Sequence, residues 1–200
     1  FIVNKKGATT GVTAISAASD TTTFQSDSYI FQNSSATQVT GNNINYNRVY
    51  GQWQYDATIT PAAANTAYAF PFQGANAVTD FSNIASAAST SHIIPGAAGT
   101  YRLAFSLQLQ NTSNASDYIA YIWWRKNGVD VSNSMGQVYV TKGNSTITAW
   151  DNMIQASNST DYWELMYAVN NTALIFPYFA ATSFGPATAS IFLNLVPVGA

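Results

Sequence analysis

Apolar and polar residues alternate with a period of two over most of this chain, the period at which successive side chains leave opposite faces of a β-strand. The clearest run is Thr100 to Gln110, where Tyr101, Leu103, Phe105, Leu107 and Leu109 alternate with Arg102, Ala104, Ser106, Gln108 and Gln110. One face of that strand is built for a core and the other for a polar surface. The run Asp117 to Lys126 is different, because Tyr118, Ala120, Ile122 and Trp124 point one way while Ile119, Tyr121 and Trp123 point the other. Both of its faces need cover. Asn127-Gly128 follows at once and supplies the positive φ angles of a tight type I′ hairpin, so Val129 to Ser132 is expected to fold back. Further strands are expected at Arg48–Thr60, Thr66–Gln73, Ser91–Ile94, Gly136–Thr141, Ser145–Gln155, Asp161–Val169, Ala173–Ala180 and Thr188–Val198. No window of a dozen residues carries the i, i+3, i+4, i+7 stripe of a helix. The pattern predicts an all-β fold, a jelly-roll sandwich of about ten antiparallel strands.

The first 45 or so residues break this pattern. They are rich in Thr, Ser, Ala and Asn, with few large apolar side chains beyond Phe24, Tyr29, Ile30 and Phe31. Residues 1–45 therefore read as an N-terminal extended arm or small β attachment segment, with a plain linker as the alternative, and residues 46–200 as the jelly-roll domain. The chain opens on Phe1 with no long apolar stretch behind it, as expected of a processed terminus or of a piece of a longer polypeptide.

Composition narrows the function classes. Only 8% of the 200 residues are charged, whereas 47% are apolar and 14% aromatic, and the formal net charge is -2. Seven Lys and Arg against nine Asp and Glu make no basic footprint, so no nucleic-acid partner is expected. No apolar stretch is long enough for a membrane-spanning helix, so no membrane insertion is expected. With no cysteine there is neither a disulfide nor a thiolate metal site. An uncharged polar surface of Ser, Thr, Asn and Gln offers little electrostatic resistance to close association of subunits.

Candidate chemistry is sparse. The one histidine, His92, stands in a strand-like Ser-His-Ile-Ile segment and is expected to be structural or superficial. The one glutamate, Glu164, lies three positions after Asp161, an odd spacing that sends two strand side chains to opposite faces. A glycosidase pair would then need a distant Asp to approach Glu164. We expect no enzyme, no cofactor and no metal site; calcium at loop residues such as Asp117 or Asp130 has no further motif behind it. Aromatics are the remaining chemistry. Trp53, Tyr162 and Trp163 are candidates to stack on sugar rings, against the competing expectation that most such residues fill a core or interface. The Asn-x-Ser/Thr sequons, at Asn33, Asn111, Asn114, Asn144, Asn158 and Asn170, are no more than this composition yields by chance.

Burial on both faces is the informative anomaly. A free sandwich needs one apolar face per strand, yet Tyr118–Trp124 offers two, and so does the final strand, with Ile191, Leu193 and Leu195 opposed to Phe192 and Val196. Without helices, the expected cover is a neighbouring copy of the chain.

The ordered segments YGQWQYDATIT (Tyr50–Thr60), AANTAYAFPF (Ala63–Phe72), GTYRLAFSLQLQ (Gly99–Gln110), YIWWRKNGVDV (Tyr121–Val131), ITAWDNMIQ (Ile147–Gln155) and DYWELMYA (Asp161–Ala168) resemble a domain of tailed-phage virion structural proteins, of the cyanophage and marine-phage type. That domain is similar to the tumour-necrosis-factor and complement-type jelly roll, which assembles as a tight trimer. The resemblance covers about three quarters of the chain. It implies a homotrimer exposed at the virion surface, in a tail fibre or knob or a head fibre. The N-terminal arm departs from the pattern and is expected to hold the docking segment for other virion proteins, and a host-surface glycan is the expected receptor of a fibre tip. Capsid decoration and a carbohydrate-binding module are the alternatives. It also implies that Tyr101, Phe105, Ile122, Trp124, Trp150 and Leu165 form sandwich or trimer core; Trp123 and Phe192, on the second faces of their strands, join them as interface candidates. No catalytic residue is implied.

Overall fold

Strand Gly99–Asn111 organises one half of the sandwich because its odd-numbered side chains, Tyr101 to Leu109, are all buried while those between them face outward. The computed structural model describes residues 31–32, 38–39, 49–83, 86–88 and 91–198. The chain divides into two units, Phe1–Asn45 and Tyr46–Ala200. In the first, β1 (Phe31–Gln32) pairs antiparallel with β2 (Gln38–Val39); the rest of the segment expected to form an arm lies outside the described residues.

The second unit begins with β3 (Tyr50–Tyr55), β4 (Tyr68–Ala69), β5 (Ala77–Asn83), β6 (Ser86–Ala88) and β7 (His92–Ile94), followed by β8, the Gly99–Asn111 strand. It continues through β9 (Tyr118–Lys126), β10 (Val129–Asp130), β11 (Gly136–Val140), β12 (Ser145–Ala156), β13 (Trp163–Val169), β14 (Leu174–Ile175) and β15 (Ile191–Pro197). All described pairings in this unit are antiparallel and form two sheets. The six-stranded sheet runs β12-β8-β15-β3-β5, with β14 beside the end of β8. In the seven-stranded sheet, β13 lies between β9 on one side and β4 and β7 on the other, β6 extends β7, and β10 and β11 share the far edge of β9. The chain crosses between sheets from β8 to β9, from β11 to β12, from β12 to β13 and from β13 to β14. That repeated crossing is the jelly-roll path, and the fold is the all-β sandwich that the alternation predicts. No helix among the described residues is long and apolar enough to cross a membrane.

Local chemistry sets the turns and limits. Asn127 (φ 48°) and Gly128 (φ 80°) make the expected hairpin, pairing Val129 with Lys126 and Asp130 with Arg125. The expected strand Ala173–Ala180 shrinks to β14 and two isolated bridges, Ile59 with Phe176 and Phe179 with Thr188. Pro177 has no N–H to offer a ladder there. Thr66–Gln73 shrinks to β4 in the same way, and the small, mostly polar strands β5 and β6 carry no alternation that would have announced them.

Between the sheets lies a core of large side chains. Phe105 on β8 meets Trp124 on β9 edge-on at 5.9 Å between centroids, and Trp150 on β12 at 4.4 Å. A second cluster joins Phe70, Tyr167 and Phe176 at 4.6–4.9 Å. Each such ring contributes roughly 1.5–3 kcal/mol by leaving water. Burial, with the Tyr68 hydroxyl nearby, pushes the Tyr167 hydroxyl up to about 12. Trp53 lies flat over Gly51, where any Cβ would overlap the indole ring. The buried indole N–H groups of Trp53 and Trp124 find no acceptor; shape rather than hydrogen bonding holds those rings.

Candidate functional site

His92, Asp161 and Glu164 gather where β13 begins, beside β7 and the β9–β10 hairpin. Glu164 on β13 is buried, and its Oε1 accepts a hydrogen bond from Ser91 Oγ at 2.6 Å and lies 3.6 Å from His92 Nε2. His92 stacks on Tyr162 with centroids 3.7 Å apart and planes 14° from parallel. The serine donates to the carboxylate and not to the imidazole, so this trio lacks the nucleophile-to-base bond of a hydrolase triad. Asp161 has a different task. Its Oδ1 accepts from Asn127 Nδ2 (2.9 Å) and Asn158 Nδ2 (3.2 Å), and its Oδ2 from Ser157 N (2.7 Å) and Lys126 Nζ (3.0 Å). Asn127 returns a bond, its Oδ1 accepting from Tyr162 N. These donors, Asn127 first, hold the Asp161 carboxyl well below the usual carboxylate range. Asp161 thus ties the hairpin turn to the loop before β13.

Asp117 and Asp130 are likewise met by donors. Tyr139 Oη and Lys142 N donate to Asp117, lowering its pKa and raising that of Tyr139. Trp123 Nε1 and Arg125 Nε both donate to Asp130 Oδ1, at 2.8 and 2.9 Å, and lower its pKa. Among the described residues, no three His, Asp or Glu side chains come together as a metal site would require.

The aromatic candidates separate sharply by depth. Tyr101, Phe105, Ile122, Trp124 and Leu165 all lie in the interior, and Trp150 packs against it half-buried. Trp123 and Phe192 stand half-buried on outer faces. Trp53 and Trp163 correct the expectation of sugar contact: they are 0% and 2% exposed because both belong to inward-facing rows, and neither can present its ring to a ligand. Lys126 Nζ further caps Trp163 at 4.8 Å from the ring centroid. Tyr162 is half-buried and engaged with His92.

The two outer sheet faces differ. On the six-stranded sheet, Ile147, Met153 and Val196 remain 64%, 54% and 43% exposed. Register puts Met153 and Val196 on either side of Arg102, and Ala149 and Phe192 on either side of Ser106. The face carries little charge and is mixed, polar along β8 at Ser106, Gln108 and Gln110 and apolar at Ile147, Met153, Phe192 and Val196, with the ion pair Arg102 Nε to Asp151 Oδ2 at 2.6 Å. On the seven-stranded sheet, Met166 is nearly inaccessible between Ala69 and Trp123, its register partners.

One further feature has no counterpart in the sequence pattern. Between β10 and β11 the chain leaves the edge of β9 over residues 131–135. Ser134 Oγ takes the place of a ladder partner, accepting from Trp124 N at 3.0 Å and donating to Val131 O at 2.7 Å. Asn133 sits at φ 61°, the left-handed region that Asn tolerates. The excursion borders an open, shallow cleft of about 270 Å³ lined by Trp123, Asp130, Val131, Asn133 and Met135. A second hollow of about 300 Å³ adjoins it, shares Asn133 and Met135, and reaches Trp150 and Asp151.

No protein-family model and no curated protein matches the chain. Among solved structures, crystal structures of murine APRIL at pH 8.5 and pH 8.0 are similar to it over 76% of this chain and 99% of theirs, at 8% and 12% identity and a TM-score of 0.45 each.

Proposed function

We propose that this chain is a non-enzymatic structural protein of a phage particle, a homotrimer displayed at the virion surface as part of a tail fibre, tail-tip knob or head fibre. One observation carries the self-association: the outer face of the six-stranded sheet leaves Ile147, Met153 and Val196 open to solvent around a single ion pair. Exposed apolar side chains on a flat sheet cost free energy in water that a second copy recovers, and a net charge of -2 opposes little. The number three and the virion location come from the resemblance of the ordered segments to phage virion domains; residues 1–45, which lie outside that resemblance, are the segment assigned to docking on other virion proteins. Attachment to a host and decoration of a capsid are two uses of the same body.

Light scattering on the full chain tests the association. A mass of three chains at micromolar concentration is expected, falling to one chain when Ile147→Asp and Met153→Asp are combined, with the strand signal in circular dichroism unchanged. A wild-type chain that stays monomeric there overturns the trimer. Imaging of particles carrying the chain then places it, a protruding three-fold feature being the expected result.

A further inference from the structure

We propose that the cleft beside Trp123 is a binding site for a neutral saccharide. Its walls are apolar where Trp123, Val131 and Met135 meet solvent, and its polar groups are few and fixed, the usual composition of a small-ligand site. Sugar rings offer the matching surface, an apolar C–H face to lie against an indole and hydroxyls at the rim.

Charge selects among ligands. Asp130 stays ionised, and both of its bonds fall on Oδ1, from Trp123 Nε1 and Arg125 Nε. Its Oδ2 is therefore left to accept from a ligand hydroxyl in a charge-assisted bond. The Arg125 Nε bond pairs that carboxylate with the guanidinium beside it, so the cleft carries little net charge with which to favour an ionic ligand. Asn133, exposed at the tip of the excursion, adds an amide that both donates and accepts.

The site is also preorganised. The bond to Asp130 fixes the Trp123 indole, and the Ser134 hydroxyl clamps the excursion to the backbone of Trp124. A ligand then has little side-chain freedom to quench. About 270 Å³ lies just below the usual range for small-molecule pockets and suits a single ring resting on the indole. Sequence reasoning placed sugar contact at Trp53, Tyr162 and Trp163; the cleft shares none of them.

The inference rests on the particle reading only for where such a ligand would be met. The cleft lies on the sheet opposite the face proposed for self-association, so the two can fail separately. The test applies the full chain to an array of neutral hexose and N-acetylhexosamine oligosaccharides alongside sialylated and sulfated ones, and follows hits by tryptophan fluorescence titration. Binding to at least one neutral glycan is expected, weakened tenfold or more by Trp123→Ala and by Asp130→Ala, with the oligomeric mass unchanged. Should either variant unfold, Asn133→Gly keeps the left-handed backbone and removes the amide; a threefold or greater loss is expected from it. No glycan bound, binding confined to the acidic glycans, or binding indifferent to these changes each overturns the proposal, whatever light scattering finds.

Discussion

The outer faces of the two sheets come from the same kind of sequence and end differently. The seven-stranded sheet covers the middle of its outer face: Met166, beside Trp123 across the ladder, is buried, Asp130 holds the Trp123 indole in place, and only toward the edge does Tyr139 stay exposed. The six-stranded sheet leaves Ile147, Met153 and Val196 uncovered. An apolar residue on a second face is thus no sign of an interface until its neighbours across the ladder are known. The two-faced pattern of β9, which pointed to a partner copy, is met in part from within the chain; the open face is carried by β12 and β15.

The largest effect that would break this contrast comes from a pair of methionines. Met166→Ala is expected to cost about 2–5 kcal/mol of unfolding free energy, the range for a fully buried side chain. Met153→Ala is expected to change the stability of a dissociated copy by less than about 0.5 kcal/mol, as an open surface position should. Urea unfolding at concentrations low enough to dissociate any oligomer reads both. Equal costs would mean that the two faces are alike and that the contrast is wrong.

The strands were legible where one side of the ladder is dry. The alternation of β8 and the Asn127-Gly128 turn state their structure outright, since a buried face demands period two and a tight hairpin demands positive φ. Strands β5 and β6 were illegible because the large apolar residues of β5, Val78 and Phe81, fall out of period two and β6 is made of small residues only. The candidate site was hidden for a related reason. Alternation assigns a residue to one side of its own strand and says nothing of what crosses above it, so Trp53 and Trp163 looked as available as Trp123. The cleft also depends on Ser134 replacing a ladder partner at Trp124, a contact across ten positions that leaves no periodic trace.

Acid gives a smaller effect that sharpens the comparison, because the closed sheet uses carboxylates as fasteners. Asp161 is held below the ordinary value of about 3.9. A carboxyl whose folded pKa is depressed adds stability that is complete above its unfolded pKa and is lost as pH falls toward the folded one. The urea midpoint is therefore expected to be level from pH 7 to about pH 5 and to fall below about pH 4. Asp161→Asn should lower the midpoint at pH 7 and flatten part of that fall. Asp117 and Asp130, shifted in the same direction, keep the remainder. A midpoint that is as steep in the variant as in the wild type would remove Asp161 from the fastening.

The smallest effect asks whether the open face stays open. Arg102 and Asp151 meet at 2.6 Å with side chains 53% and 44% exposed, and a pair so wet should couple by only about 0.2–1 kcal/mol in a double-mutant cycle. Arg125 and Asp130, at 2.9 Å on the other sheet, provide the reference. In dilute, dissociated chains the two cycles should agree within error. At concentrations where copies associate, water leaves the first pair and not the second, so the Arg102–Asp151 coupling should rise while the Arg125–Asp130 coupling holds. Truncating Asp151 alone would then leave the Arg102 guanidinium without its partner in a drier setting, and should weaken association more than Asp130→Ala does. Identical couplings at both concentrations would place the contact between copies somewhere other than this face.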